Sequence, residues 1–198
     1  MSAPGLMPKF VIDRFVNQNT AWIERQKHRI KLRQTANPSL DWEQKIVSYL
    51  GSLYSIKVSG ETGSKVEIDN GICWIRPITG SAADAKKTLL VWLKISAEKH
   101  ILKRVIYWAD KMQVSFGSVR FGQQSSRWGS CSGENNLRFN WRLIHFPEEV
   151  IDYVVIHELA HTVHHDHSNR FWDLVQQYCM SWKEQRRFLK RQSVMIEK

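Results

Sequence analysis

The chain has 198 residues, the size of one ordinary domain with room for a buried core. A charged fraction of 24% beside nine Trp and eight Phe excludes a disordered chain. The formal net charge of +10 is spread as +4, +3 and +3 over residues 1–50, 51–110 and 111–198, so there is no basic tail; solubility is its first reading and association with nucleic acid the second.

The opening residues, Met1 to Pro8, lack both a basic n-region and an apolar h-region, and no stretch approaches the roughly 18 apolar residues of a membrane span. The expectation is a cytoplasmic protein with no membrane contact. Cys73, Cys131 and Cys179 have no C-x-x-C spacing and read as reduced thiols, not as a disulfide frame or zinc-finger set. Phe10 to Leu32 reads as an amphipathic helix with Phe15, Trp22 and Ile23 inward. Asn37-Pro38-Ser39 punctuates, and a short helix is expected to run to about Leu50 and stop at Gly51. Leu53 to Ser59, Lys65 to Asp69 and Ile72 to Arg76 look like strands, the last two joined by Asn70-Gly71, a strong hairpin signal.

Ala82 to Met112 is a long helical stretch with Leu90, Leu93, Ala97, Ile101 and Val105 at helical spacing. Val114 to Gly122 and Leu137 to Trp141 are strand-like, divided by a turn region from Arg127 to Glu134. Pro147 is placed at the first position of the next helix, Ser168 caps another that runs to about Tyr178, and a basic helix closes the chain. The whole describes an α+β domain without repeats or linkers.

The chemistry concentrates in Val154-Val155-Ile156-His157-Glu158-Leu159-Ala160-His161. Histidines four apart on a helix stand one turn above each other, with Cβ atoms about 5–6 Å apart, so both imidazoles reach one ion. Glu158 follows the first ligand, where a general base stands to take a proton from an activated water. The apolar run of Ile151, Val154, Val155 and Ile156 puts this pair on a buried helix. A catalytic zinc needs a third protein ligand. His167, just ahead of the turn-favouring Ser168-Asn169, reaches the metal if the helix ends near His164 or His165; Asp173 is the runner-up, ahead of His164 and His165.

Arg127-Trp128-Gly129-Ser130-Cys131-Ser132, then Leu137-Arg138-Phe139-Asn140, Pro147 with Val150-Ile151-Asp152-Tyr153, His157-Glu158-Leu159-Ala160-His161, His167-Ser168 and Phe171-Trp172 follow in order. This series resembles the YgjP-like family of zinc metallopeptidases, over about Phe10 to Leu189, and its site spacing is similar to that of SprT- and Wss1-like proteases. His164 stands where metzincins use Gly. The resemblance implies a compact zincin-like fold with a small, mainly antiparallel sheet, an active-site helix and flanking helices. It implies His157, His161 and His167 as ligands of one Zn²⁺ per chain, with Glu158 as catalytic base. Residues 1–198 are then expected to form a single metallopeptidase domain, about 10–112 giving N-terminal helices and hairpin, about 113–190 the metal-site part.

The expected activity is zinc-dependent hydrolysis of a peptide or protein substrate, Glu158 passing the water's proton to the leaving amine. An extended substrate is expected on a sheet edge, either Val114 to Gly122 or Leu137 to Trp141. Tyr153, His164, His165 and Arg127 are candidates for steadying the oxyanion, with no spacing to choose among them. Two other classes compete: a nucleic-acid-associated binding protein with structural zinc, and a protease acting on DNA-bound proteins. A cysteine hydrolase using Cys131 and His145 has no spacing in its favour, and a buried Cys131 packed beside Trp128 is the plainer reading. Met180 is expected in the core rather than in a Met-turn.

Overall fold

The computed structural model describes residues 40–124 and 127–193. The chain divides into two units, residues 1–36 and 37–198, and the described residues all belong to the second. The expected helix Phe10 to Leu32 lies outside the described residues.

The first described strand stands where a short helix was expected. Asp41 to Lys45 is a turn, and β1 (Ile46–Tyr49) pairs antiparallel with β2 (Ser52–Val58). Leu50 and Gly51 both hold positive φ, 48° and 77°, the two-residue hairpin geometry that matches strand twist. A glycine after an apolar run serves a helix C-cap and a hairpin equally well; the β-branched and aromatic Ile46, Val47 and Tyr49 decide for the strand.

β3 (Lys65–Asp69) and β4 (Ile72–Arg76) form the expected Asn70-Gly71 hairpin, with φ of 46° and 77° at the turn. β4 then pairs parallel with β2, giving the order β1-β2-β4-β3. α1 (Ala82–Met112) follows, capped by the Ser81 side chain, which accepts from the Asp84 N–H at 3.1 Å. Its buried row is Ala85, Leu89, Leu93, Ala97, Ile101, Val105 and Ala109, so Leu89 rather than Leu90 carries the core face.

The second sheet is shorter than the sequence suggests. β5 covers only Val119–Gly122; β6 (Gly129–Cys131) lies inside what reads as a turn region; and β7 (Leu137–Asn140) stops before Trp141, which opens a 3-10 turn, Trp141–His145. The order is β5-β7-β6, parallel then antiparallel. β7 is therefore central and has no free edge for a substrate, which removes Leu137 to Trp141 as a docking strand and leaves β5 and β6.

α2 (Glu148–Ala160), α3 (Asn169–Tyr178) and α4 (Trp182–Ser193) complete the α+β domain. Pro147 is the N-cap of α2 and not its first helical residue; its carbonyl accepts from Val150 N and Ile151 N. Two ties fix where α2 begins. Leu50 N and Gly51 N donate to the carbonyls of Ile144 and His145 at 2.7 and 3.2 Å, and a Cβ on Gly51 would stand 2.7 Å from Pro147 Cγ. From the other side, Arg104 of α1 grips Asp152 with both Nε and Nη2, the latter at 2.6 Å, a bidentate pair at a half-buried position. No helix among the described residues is long and apolar enough to cross a membrane.

Candidate metal centre

α2 is apolar on nearly every face, burying Val150, Ile151, Tyr153, Val154, Val155, Ile156, Leu159 and Ala160, as the sequence predicts. Its C-terminal turn carries His157 and Glu158, and His161 is the C-cap. The helix stops one turn earlier than expected. Thr162 N and Val163 N close 3-10-type bonds onto Leu159 and Ala160, and His164 N reaches Ala160 O at 2.9 Å. The chain then reverses, Asp166 Oδ1 accepts the N–H of Ser168 at 3.1 Å, and α3 starts with Ser168 at its N-cap. His167 sits on this reversal.

The reversal brings His157, His161 and His167 together, with one ring nitrogen of each inside a 4.8 Å span. His157 Nε2 and His167 Nε2 are 3.3 Å apart. Two ligand nitrogens of a tetrahedral zinc, each about 2.0–2.1 Å from it, stand about 3.3–3.4 Å apart, so the pair already has the separation such an ion imposes. His161 Nδ1 donates to the carbonyl of His164 at 3.0 Å, which fixes the tautomer and leaves Nε2 with its lone pair toward the cluster. That carbonyl is a supporting group the sequence did not flag. The Nδ1 of His157 is buried without a partner among the described residues.

Phe171 forms the floor, its ring centroid 4.9, 4.5 and 4.8 Å from the rings of His157, His161 and His167. Trp172 stacks on His167 and in turn on Trp182, and the Arg186 guanidinium lies 5.0 Å over Trp172. Burial, with the neighbouring imidazoles and Arg186 adding, pushes His157 down to about 3. Burial also lowers His161. Both rings are thus neutral near pH 7, the form that donates a lone pair to a metal. Asp173, the runner-up third ligand, is exposed on α3 and is not part of the cluster; neither are His164 and His165.

Glu158 is buried, and burial raises its carboxyl to about 8 against the opposing pull of Arg127. Its immediate cover is β6. A Cβ on Gly129 would lie 2.7, 2.8 and 2.9 Å from Glu158 Oε1, Cγ and Cδ, so the strand passes over this carboxyl only because residue 129 has no side chain. The sequence suggests a turn here; the structure has a strand, and its glycine makes a contact across space that no local pattern signals.

Several subsidiary expectations change. Cys131 is half-buried on β6, not buried in the core, and burial together with the Glu158 charge raises its thiol. His145 is fully enclosed, Nδ1 donating to Ser48 O at 2.6 Å, and is no partner for Cys131. Met180 is 91% exposed and belongs neither to the core nor under the cluster. Tyr153 is buried beside His157, ring centroids 5.9 Å apart, and burial drives its phenol up to about 12.

Three imidazoles gathered at the end of a buried helix, with a buried carboxyl between the first two, form a group that could hold a metal ion on an α+β scaffold. The chain belongs to the YgjP-like family: the model of the YgjP-like metallopeptidase domain matches residues 1–192. The zincin-like character of the fold follows from that membership. No curated protein and no solved structure gives a significant match.

Proposed function

We propose that this chain is a zinc-dependent peptidase in which His157, His161 and His167 hold one Zn²⁺ and Glu158 is the general base. The observation that carries the reading is the 3.3 Å approach of two Nε2 atoms beside a third imidazole nitrogen, all within 4.8 Å, a spacing at which three lone pairs can converge on one cation. A structural zinc closes its shell with four protein ligands, whereas the cluster found among the described residues has three, which favours hydrolysis over a purely structural site. The family match over residues 1–192 supports treating the chain as one metallopeptidase domain.

When bound, the ion supplies Lewis acidity, polarising a peptide carbonyl and bringing water's pKa down to about 7. Glu158 accepts the proton of the attacking water on a carboxylate oxygen and returns it to the amine nitrogen as the C–N bond breaks. Burial, which raises this carboxyl, suits the return of the proton, and a cation held by the three imidazoles would favour the ionised form that takes it. An extended substrate adds to the free edge of β6, the strand that passes over Glu158. Phe171 and Trp172 exclude water from the far side of the imidazoles.

Metal analysis and a peptide-library cleavage assay on wild type and Glu158→Gln test this. About one zinc per chain is expected in both, with cleavage falling by at least about 10²-fold in the variant. Equal cleavage by the two proteins removes Glu158 as base.

A further inference from the structure

The outer face of α1 carries a second pattern that the metal centre does not use. Val91, Ile95, Leu102 and Ile106 are 39–57% exposed, apolar side chains on a helix whose opposite face is fully buried. They lie in two adjacent i, i+4 ridges. One reads Lys87, Val91, Ile95, Lys99 and the other Glu98, Leu102, Ile106, Asp110, and all eight residues are exposed. The first ridge ends in cations and the second in anions.

The ridges are related by reversal. Counting inward from Lys87 and back from Asp110 pairs Lys87 with Asp110, Val91 with Ile106, Ile95 with Leu102 and Lys99 with Glu98. A two-fold axis between residues 98 and 99 lays the first ridge of one copy against the second ridge of its partner. Within these eight positions every apolar residue meets an apolar residue and every charge its opposite, while one step further along each ridge the exposed Lys94 and Lys103 face each other as like charges at the rim. That is the self-complementarity an isologous contact requires. The side chains of Glu98, Lys99 and Asp110 make no ion pair within the described residues, so they are available to a partner.

We propose that this face of α1 is a homodimer interface in which two α1 helices cross antiparallel, centred on Ile95, Glu98, Lys99 and Leu102. Packing i, i+4 ridges into the partner's grooves crosses the helices at about −50°. Ile95 and Leu102 make the central contact, Val91 and Ile106 flank it, and Lys87 and Asp110 steer from the splayed ends. The face between residues 87 and 110 is about 35 Å long and about 10 Å wide. At about 350 Å² per copy, about 700 Å² in all, this lies below the roughly 1,000 Å² of a stable interface, so the dimer is weak and transient and forms at tens of micromolar or above, on the order of 10⁻⁵ M or weaker.

Sedimentation velocity on the full chain from about 1 to about 300 µM at low salt tests this. The weight-average sedimentation coefficient is expected to climb from monomer to dimer. Ile95→Glu is expected to stay monomeric throughout, with unchanged circular dichroism and zinc content. Glu98→Lys alone and Lys99→Glu alone are each expected to weaken the dimer about tenfold, because each reversal strikes two symmetry-related contacts. The double variant Glu98→Lys/Lys99→Glu restores both pairs and is expected to regain wild-type association. A monomer at every concentration overturns the proposal. An undiminished dimer in Ile95→Glu, or a double variant no better than the singles, overturns it equally.

Discussion

Gly129→Ala isolates the contact between β6 and the proposed base without touching a metal ligand. The added methyl would stand 2.7–2.9 Å from three atoms of Glu158, where real contacts of that kind begin near 3.4 Å. Glu158 is buried, so either its carboxyl swings away from its present place or β6 lifts off its Gly129–Phe139 pairing with β7. Overpacking of this kind costs about 1–3 kcal/mol of stability. Displacing a general base costs about 10²–10⁴ in turnover, or about 3–5 kcal/mol of activation free energy. Turnover on a library-derived peptide should fall toward the level of Glu158→Gln, with zinc content held at wild type and urea unfolding showing the protein folded at the assay temperature. Gly122→Ala is the control: nothing lies within 4 Å of its Cβ position, and it should be neutral. If Gly129→Ala turns over within about threefold of wild type, Glu158 either moves freely or is not the base.

The remaining predictions address the support of the site and its third ligand. Gly51→Ala forces a side chain into φ +77° and against the Pro147 backbone at 2.9 Å, and should lose about 2–4 kcal/mol in urea unfolding. His145 is held down to about 4 from 6.5, so as pH falls below 6.5 the unfolded chain takes up its proton first. Its contribution is complete above about 6.5 and is lost by about 4, roughly 3 kcal/mol in all; the stability difference between wild type and His145→Gln, measured across that window, should show this slope. His167→Ala should weaken zinc binding by at least about 10²-fold in competition with a chelator, whereas Asp173→Ala should leave it unchanged. The reverse ranking would return the third position to the carboxylate.

What was legible in the sequence follows the range of the interaction that decides each element. The buried i, i+4 row of α1 and the Asn70-Gly71 hairpin are set within a few residues; the hairpin reads correctly, and so does the row from Leu93 to Val105, though Leu89 stands where the sequence suggests Leu90. His157, Glu158 and His161 share one helix turn, so spacing alone places them. β1 was misread because Leu50 as well as Gly51 adopts positive φ, and a non-glycine there carries no sequence signal. β6 is three half-buried residues with no alternation to detect, stabilised by β7 and by α2 rather than by its own composition. His167 joins its partners only through a reversal that begins at Ala160, a full turn before the Asp166-His167-Ser168 signals suggest.

The same distinction explains why the proposed third ligand and the glycine over the proposed base differ in how they could be found. A ligand must present a particular chemistry, and imidazole is rare enough that His167 could be nominated before its path was known. A cover strand need present only absence: Gly129 matters because of what would collide with Glu158, 29 positions away, and no pattern along the chain encodes a collision across space. Steric permission of this kind becomes visible only when both backbones are in place. If the reasoning holds, any side chain at residue 129 should be penalised in proportion to its volume while Ser130 and Cys131 tolerate change, a contrast that saturation substitution along β6, read by turnover at constant zinc content, would expose or dismiss.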